Sequence, residues 1–440
     1  MWVNFEMVES RPNVLLVMSD QQRADTLPSY GNAFVEAPYL EQLAQSGARF
    51  TNCRTVFPVC TPARASLWTG LYPHQHGIFR NVYGVPDQLS DRGLTDRSIF
   101  QLLAKEGYEC SYFGKWHLGT ANPGPFSVFQ AFNSGGGHWV DGLQSFQGGT
   151  YIPDRDTDNL IAWIRARDVT RPFFSVISYY PPHDPFSAPL DTTDKYRRMA
   201  VPFPGYYGSI TAIDRCVGRI LAGLHEANLA DNTLIAFFSD HGETFHSRDG
   251  VTSKFVCTDD ALRVPLILHF PSTIGHGLAV SELVGLQDIM PTILDFVGVT
   301  IPTGLAGRSL RGLCHKIVPP ETDWRTSFYV ENETFYSLPE STGPVVPRTI
   351  ERAVCNRRHK LVVSQDESRP MELFDMFMDP EERRNLVDEL ETNSSVLATC
   401  EEMLREILRH ATDLNDAVGQ QMAESRLGQL REVKASFGRA

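Results

Sequence analysis

Short, continuous apolar runs recur along the first half of this chain, each with the length of a buried strand. Residues 13–18 read NVLLVM, a run rich in Val and Leu of the kind that parallel strands buried on both faces require. Segments with the 3.6-residue periodicity of amphipathic helices separate these runs. The further runs are residues 110–113, 173–178 and 234–238, and the helical segments include residues 96–105 and 210–224. This alternation predicts an α/β fold.

Polar side chains follow each of the four runs where the strand is expected to end. They are Asp20 after the first run, Lys115 and His117 after the second, His183 after the third, and Asp240 and His241 after the fourth. Ligands of open α/β sheets bind beyond the carboxyl ends of the strands. If the four strands are parallel neighbours, these side chains meet at one edge, and we expect a single functional site there.

The second half of the chain predicts a smaller second domain. A strand-like run at residues 264–270 and a helical segment at 288–297 precede a region near 300–325 that is rich in Pro, Gly and charge. We therefore expect a large α/β domain over residues 1–315 and a smaller C-terminal α+β subdomain over residues 316–440. Strand-like runs at 327–330, 360–363 and 372–379 and a polar helical tail at about 394–434 fall in the second part.

Two segments leave alternatives open. The Gly-rich stretch at residues 133–149 has neither a helical nor a strand period, which predicts a surface loop, with a substrate lid as the alternative. In the tail, Leu404, Ile407 and Leu408 lie at helical spacing. That apolar stripe serves either a homo-oligomer interface or docking on its own domain.

Composition narrows the class of protein. With 440 residues, 42% hydrophobic and 21% charged, the chain has ample material for a globular core. A net charge of -13 argues against nucleic acid as a partner. An acidic chain that binds an anion must concentrate its cations locally, which makes each well-placed Lys, Arg and His a candidate.

Cysteine usage and the N-terminus predict a cytoplasmic protein. The eight cysteines include no C-x-x-C pair and no zinc-type spacing, so we expect no disulfide framework. Residues 1–12 carry Glu6 and Glu9 and lack the apolar core of a secretory signal. No run of 18 or more apolar residues predicts a membrane span.

The stretch Cys60-Thr61-Pro62-Ala63-Arg64 is the most informative in the chain. Thr61 suits an N-cap and Pro62 the first helical position, and Gly70 suits the end of a helix over residues 63–68. Cys60 would then lie at a positive helix N-terminus, where a thiolate or an anionic substrate is favoured. The alternative is a buried structural cysteine before an ordinary helix.

This Cys-x-Pro-x-Arg motif resembles the signature of the formylglycine-dependent (type I) sulfatases of the alkaline phosphatase superfamily. The resemblance implies that Cys60 is oxidised after synthesis to a formylglycine, by a formylglycine-generating enzyme, and that the aldehyde hydrate attacks sulfur. It also implies an alkaline-phosphatase-like mixed, mostly parallel sheet sandwiched by helices.

The resemblance extends to a metal site. Asp20 and Asp240 are candidate oxygen ligands of a divalent cation by residue type alone. They match the family's metal aspartates, and with Gln21, His241 and the modified Cys60 they would form the ligand set. The family commonly has a second Asp where this chain has Gln21. Calcium is implied, while the imidazole leaves manganese or magnesium open.

The remaining family positions are also filled. The resemblance assigns sulfate binding to Lys115, Lys254 and Asn81, and protonation of the leaving oxygen to His183 with Lys254. His117 would take the proton that releases sulfate, and Arg64 would stabilise the hydrate. We therefore predict hydrolysis of a sulfate ester, from a sulfated sugar or another small organic sulfate, because a cytoplasmic address favours small imported esters over polymers.

Two other functions remain open. A phosphonate monoester or phosphodiester hydrolase of the same superfamily can use the same aldehyde and a similar metal set, although those relatives tend to lack the Lys-x-His pair of Lys115 and His117. A non-catalytic sulfate-binding protein with unmodified Cys60 is the alternative from another class. Four aromatic residues could stack on a sugar face or belong to the core: Trp116, Trp139, Tyr151 and Trp163.

Overall fold

The computed structural model describes residues 11–134, 138–140, 149–247, 253–315, 324–334 and 349–437. In these ranges the strands are β1 (Asn13–Asp20), β2 (Ala48–Phe50), β3 (Cys53–Arg54), β4 (Glu109–Lys115), β5 (Phe126–Phe132), β6 (Phe173–Pro182), β7 (Thr233–Ser239), β8 (Leu266–His269), β9 (Leu278–Val280), β10 (Val284–Gly285), β11 (Phe328–Thr334), β12 (Thr349–Cys355), β13 (His359–Ser364) and β14 (Glu372–Asp375). The α-helices are α1 (Pro38–Ser46), α2 (Cys60–Thr69), α3 (Pro73–His76), α4 (Gln88–Asp91), α5 (Ile99–Lys105), α6 (Ile152–Ala166), α7 (Leu190–Arg198), α8 (Pro204–Glu226), α9 (Asp259–Leu262), α10 (Ile289–Phe296), α11 (Arg311–Cys314), α12 (Ser394–Leu414) and α13 (Ala417–Phe437).

The large sheet confirms the α/β prediction. Its order is β5-β4-β6-β1-β7-β8-β2-β9, so the four strands read from the apolar runs are direct neighbours. β1 pairs in parallel with β6 on one side and β7 on the other, and β4 pairs in parallel with β6. β8 runs antiparallel to both β7 and β2. The sheet is therefore mixed and mostly parallel, and the carboxyl ends of the four central strands share one edge.

Both faces of the sheet are buried, which explains the continuous apolar runs. Val14, Leu16 and Met18 of β1 pack into one hydrophobic cluster with residues of α2, α5 and α10. Leu15 and Val17 face the opposite way and pack with residues of α1, α6 and α8. Successive side chains of a strand point to opposite faces, so a strand between two helical layers must be apolar at every position.

The C-terminal subdomain is an antiparallel sheet covered by helices. Its order is β11-β12-β13-β14, with α12 and α13 packed against each other and against β13. Leu404 and Ile407 are fully buried in the hydrophobic cluster of this subdomain, and Leu408 packs partly buried against it. The tail stripe therefore docks on its own domain, one of the two alternatives left open.

Several predicted elements differ in detail from the structure. The tail is two helices, because Asn415 adopts a left-handed conformation (φ 61°) that ends α12. The helical pattern at 96–105 is broken at Ser98, after a short 3₁₀ turn. The predicted boundary at 315/316 lies beside residues 316–323, which are outside the described residues, as is most of the Gly-rich stretch.

The four aromatic candidates belong largely to the core. Trp116 is fully buried and stacks on Trp68 with ring centroids 6.1 Å apart. Trp139 and Tyr151 are buried and pack against each other, and Trp163 is partly buried beside Phe173. Each of these four rings packs against another aromatic ring of the protein.

All eight cysteines are buried and free. Within the part of the chain that the structure describes, no helix combines the length and the hydropathy needed to cross a membrane.

Buried histidines make the fold sensitive to acid, and His76 of α3 is the clearest case. Its Nδ1 accepts from the N–H of Ile78 and its Nε2 lies 3.0 Å from Ser66 Oγ. Burial, with the charges of Arg92 and His74, lowers the pKa of His76 to about 3. The unfolded chain, with a His pKa near 6.5, therefore binds a proton that the folded chain excludes.

Stability is accordingly expected to fall as the pH drops below about 6.5, by about 1.4 kcal/mol per pH unit for this one group. Urea unfolding of the wild type and His76→Gln at pH 7.5 and pH 5 measures it. The loss of unfolding free energy between the two pH values should be about 2 kcal/mol smaller in the variant. Equal losses in both proteins would contradict the assignment.

Candidate active site

The carboxyl edge of the large sheet carries the predicted site. Asp20 is the last residue of β1 and Lys115 the last of β4, while His183 and Asp240 directly follow β6 and β7. Asp20, Lys115 and Asp240 are fully buried. The sheet therefore brings together groups from four distant parts of the chain, as the strand pattern predicted.

Cys60 lies at the centre of this group. Its Sγ is 3.1 Å from His241 Nε2, 3.5 Å from Lys115 Nζ, 3.6 Å from Lys254 Nζ and 3.9 Å from Asp20 Oδ1. Burial alone would raise the pKa of the Cys60 thiol, but the positive charges of Lys115 and Lys254 hold it well below its usual value. The position is thus built to hold negative charge.

The start of helix α2, which carries Cys60, differs from the predicted start. The helix begins at Cys60 and its N-cap is Val59, so the prediction of Thr61 as N-cap is wrong. The Thr61 hydroxyl donates to the carbonyl of His117, and the Thr61 N–H donates to Asn81 Oδ1 at 3.1 Å. A side chain from another loop caps the helix, while Gly70 ends it as predicted in a left-handed conformation.

Arg64, one turn along α2, joins the two aspartates. Its Nη2 donates to Asp20 Oδ2 at 2.7 Å and its Nε to Asp240 Oδ2 at 2.9 Å, and all three side chains are fully buried. A third guanidinium nitrogen donates to the carbonyl of Lys115 and to Ser178 Oγ. The planar guanidinium suits this multiple contact, which fixes the two carboxylates relative to Cys60.

Lys115 completes the pairing of Asp20. Its Nζ lies 2.6 Å from Asp20 Oδ2, the same oxygen that Arg64 contacts. Burial and Cys60 would raise the pKa of Asp20, but the charges of Lys115 and Arg64 hold it well below its usual value. Asp20 is therefore a carboxylate with one oxygen paired to cations and the other, Oδ1, facing Cys60 and His241.

His183 and Lys254 form a pair beside Cys60. Lys254 Nζ is 2.8 Å from His183 Nε2, and His183 Nδ1 is 2.9 Å from the Asp184 carboxylate. Burial would lower the pKa of Lys254, but the negative charges of Cys60 and Asp20 raise it. Lys254 therefore remains an ammonium group, suited to contact an anion and to share a proton with His183.

His117 is buried on another side of the site. Burial and the charge of Lys115 lower its pKa to about 4, so its imidazole is neutral at pH 7. Neither ring nitrogen has a hydrogen-bond partner among the described residues, although the ring is only 1% exposed. A neutral, unpartnered imidazole beside the nucleophile position is equipped to accept a proton.

The sequence profile of the sulfatase family matches residues 12–299, well over half of the chain and all of the elements that carry the site. The chain belongs to the sulfatase family. A second profile, N-sulphoglucosamine sulphohydrolase C-terminal, matches residues 249–410. The sulfatase is thus a sulfuric ester hydrolase, and the predicted family is confirmed.

Relatives of this sulfatase share most of its length. An ulvan-active sulfatase from Formosa agariphila is 29% identical over 86% of this chain and 77% of its own. A structure determined with its substrate D-glucosamine-2-N,6-O-disulfate has a TM-score of 0.78 at 19% identity and covers 93% of this chain and 99% of its own. A phosphonate monoester hydrolase from Silicibacter pomeroyi has a TM-score of 0.74 at 25% identity, covering 92% and 96%.

The donor set of the sulfatase fits a divalent cation. Ligand atoms of Asp20, Cys60, Asp240 and His241 all lie within 4.8 Å of one another, and all four residues are buried. His241 Nδ1 is 2.9 Å from the carbonyl of Gly242. That contact places the ring proton on Nδ1 and leaves the Nε2 lone pair facing the aspartates, as in metal-bound histidines.

Gln21 lies beside this cluster. Its backbone N–H donates to Asp240 Oδ1, and its side-chain oxygen accepts from Lys254 Nζ. The described contacts of this amide are thus with Lys254 through its oxygen and with the Glu243 carboxylate through its nitrogen, and not with the carboxylates of Asp20 and Asp240. Its role as a metal ligand stays a prediction.

Sequence reasoning missed three residues of the sulfatase site. Asp184 contacts His183, Glu243 contacts Gln21, and Tyr83 packs on His117 with ring centroids 5.6 Å apart. Asp184 and Glu243 each lie within two residues of a predicted site histidine, and an acidic residue in that place was a signal that the sequence offered. Tyr83 lies in a loop without periodicity and gave none.

Proposed function

We propose that this sulfatase hydrolyses the sulfate ester of a sugar, with a formylglycine at position 60 as nucleophile and a divalent cation held by Asp20, Gln21, Asp240 and His241. The observation that carries the proposal is the environment of Cys60, which begins α2 beside two lysines, one histidine and one carboxylate. A structural cysteine would be expected among apolar side chains, as Cys400 is.

The residues around Cys60 divide the work of sulfate-ester cleavage. Lys115 and Lys254 would bind the non-bridging oxygens, because both ammonium groups lie within 3.6 Å of Cys60 Sγ. Asn81, whose side-chain oxygen accepts the Thr61 N–H at the start of α2, would add its amide group to the sulfate contacts. Fixed charges in a buried site stabilise the negative charge that develops on the sulfuryl oxygens.

Two histidines would move protons. His183, 2.8 Å from Lys254 Nζ, is placed to share a proton with the leaving oxygen of the alcohol. His117, neutral and unpartnered, would hold the proton given up by the hydroxyl group at position 60 when sulfate is released. Separate groups thus serve the leaving alcohol and the leaving sulfate.

Two groups would be added to the chain. A formylglycine, made from Cys60 by a formylglycine-generating enzyme, supplies a hydrated aldehyde whose second hydroxyl permits release of sulfate by elimination. A divalent cation supplies Lewis-acid polarisation at the same place. Calcium is the proposed ion because carboxylate and amide oxygens predominate, with manganese and magnesium as alternatives. Arg64 orients the carboxylates that would hold it.

The organic part of the substrate is proposed from the relatives. The names of the Formosa agariphila sulfatase and the D-glucosamine disulfate complex point to sulfated saccharides. The predicted cytoplasmic address adds that the saccharide is small, such as a mono- or disaccharide. Robust cleavage of a sulfated polymer with none of small sulfate esters would refute the size restriction.

The preference for sulfur over phosphorus is tested by direct competition. The fully modified enzyme is given a 6-O-sulfated glucosamine, an aryl sulfate and an aryl phosphonate monoester, and kcat/KM is measured for each. We expect the sulfate esters to be favoured, because Lys115 and His117 are both in place. A phosphonate kcat/KM above that of every sulfate ester would favour the phosphonate hydrolase instead, whose fold is also similar.

Removal of the metal is expected to reduce turnover strongly. Asp20 Oδ1 has no N–H donor within hydrogen-bond distance among its described contacts, so without a cation its charge faces Cys60 directly. Dialysis against a chelator should reduce kcat by at least about 10²-fold, the scale of one lost electrostatic stabiliser. Add-back of calcium, manganese or magnesium should restore it, and an enzyme unaffected by chelation would contradict the metal assignment.

A further inference from the structure

The side-chain amide of Gln21 is held between two charged groups of opposite sign. Its oxygen accepts from Lys254 Nζ, and its nitrogen donates to Glu243 Oε2. Gln21, Glu243 and Lys254 are all buried. An amide in such a position has only one orientation that satisfies both neighbours, because an ammonium only donates and a carboxylate accepts.

Glu243 is itself fixed by the backbone. Its second oxygen, Oε1, accepts the N–H of Phe245 at 2.6 Å, so both carboxylate oxygens have N–H partners. The residue follows His241 and Gly242 in the loop after β7. The loop after β7 therefore presents both the candidate metal ligands Asp240 and His241 and the carboxylate that holds Gln21.

The orientation of Gln21 reaches the reacting centre through Lys254. The Lys254 ammonium lies 3.6 Å from Cys60 Sγ and 2.8 Å from His183 Nε2. If the Gln21 amide turned over, its NH₂ group would face the ammonium and push it away from these positions. The backbone of Gln21 has φ of 66°, unusual for a residue other than Gly, which shows that its place is imposed by the surroundings.

We propose that Glu243 is a positioning residue that fixes the Gln21 amide with its oxygen towards Lys254. The inference rests on the proposed function, because Lys254 and Gln21 serve the same reaction. Glu243 contacts neither Cys60 nor Lys254 among its described hydrogen bonds, and the site residue that its side chain hydrogen-bonds is Gln21.

A single substitution and a double exchange that conserves net charge together test this role. In Glu243→Gln the new amide keeps its oxygen on the Phe245 N–H and presents an NH₂ group to the NH₂ group of Gln21. We expect kcat/KM to fall by about 10- to 100-fold, the range for lost support of a metal-site ligand. In Gln21→Glu/Glu243→Gln the carboxylate and the amide change places, and every donor again faces an acceptor. The double variant should recover to within about threefold of wild type.

The matched control is Asp214→Asn in α8. Asp214 is another buried carboxylate that accepts a backbone N–H, from Leu40. This variant should keep the wild-type kcat/KM. If Glu243→Gln keeps it as well, or if the double variant does not recover, Glu243 has at most a general structural role and the inference is wrong.

A second readout separates this inference from the proposed function. Melting temperatures should fall in each single variant, because facing donors or facing carboxylates are buried, and should rise again in the double variant. That pattern reports the contact even if the wild type cleaves no sulfate ester. An inactive wild type would overturn the proposed function, whereas an additive pattern of melting temperatures would overturn the inference.

Discussion

Replacement of Cys60 by alanine is expected to reduce the turnover of a sulfate ester by about 10⁴-fold or more, the scale for loss of a catalytic nucleophile. The charges that surround Cys60 remain in the variant, so binding of the sulfate ester and of a metal should persist in part. Replacement by serine should give at best a trapped or feeble enzyme, because one hydroxyl offers no elimination that releases sulfate. Steady-state and single-turnover assays measure both variants.

The control for this prediction is Cys400→Ala. Cys400 is also fully buried, but it lies in α12 among apolar side chains, where burial raises the pKa of its thiol to about 12. This variant should keep its turnover. The variants are produced in a host whose modifying enzyme acts on cysteine alone. Multiple turnovers by Cys60→Ser from that host would contradict the proposed nucleophile.

Replacement of Arg64 by methionine is expected to damage both folding and activity. The variant leaves Asp20 and Asp240 buried with no guanidinium between them, although Lys115 still pairs with Asp20. Breaking a buried ion pair by removal of one partner costs about 3–5 kcal/mol of stability. The carboxylates also lose their fixed positions, so we expect kcat to fall by at least about 10²-fold.

Arg325→Met separates the two effects. Arg325 makes a bidentate pair with Asp288, 2.7 Å for each contact, and both side chains are largely buried without a described hydrogen bond or ion pair to a site residue. This control should lose a similar amount of unfolding free energy and keep its kcat. Chemical unfolding and steady-state kinetics are measured for both variants. Equal activity in the two proteins would mean that Arg64 is only a structural residue.

The sequence predicted the central strands of the large sheet well, because their burial on both faces leaves a pattern that the sequence shows directly. A strand covered on both faces must be apolar at each position, and Leu15 and Leu16 of β1 show this directly, one on each face. The sequence did not predict strands β5 and β12. Buried and exposed residues are mixed along β5, and β12 carries two charged residues among apolar ones. The break after α12 depends on one left-handed Asn415, which helical periodicity does not register.

The sequence placed the candidate site residues near one another, but it did not predict the contacts that support them. Asp20 and Asp240 could be placed together because β1 and β7 are adjacent parallel strands. The start of α2 was misplaced, since Asn81 caps Thr61 from a loop 20 residues away. Contacts such as Glu243 with Gln21 depend on tertiary geometry, and a single sequence reports only the residue types.

The most direct test of the account is mass spectrometry across the peptide that contains Cys60, on protein from a host with the modifying enzyme, paired with an aryl sulfate assay. The account predicts a mass about 18 Da below that of the cysteine peptide, from conversion of the thiol to the aldehyde, together with turnover. An unmodified Cys60 in active protein from that host would contradict the formylglycine mechanism and indicate a thiol-based reaction.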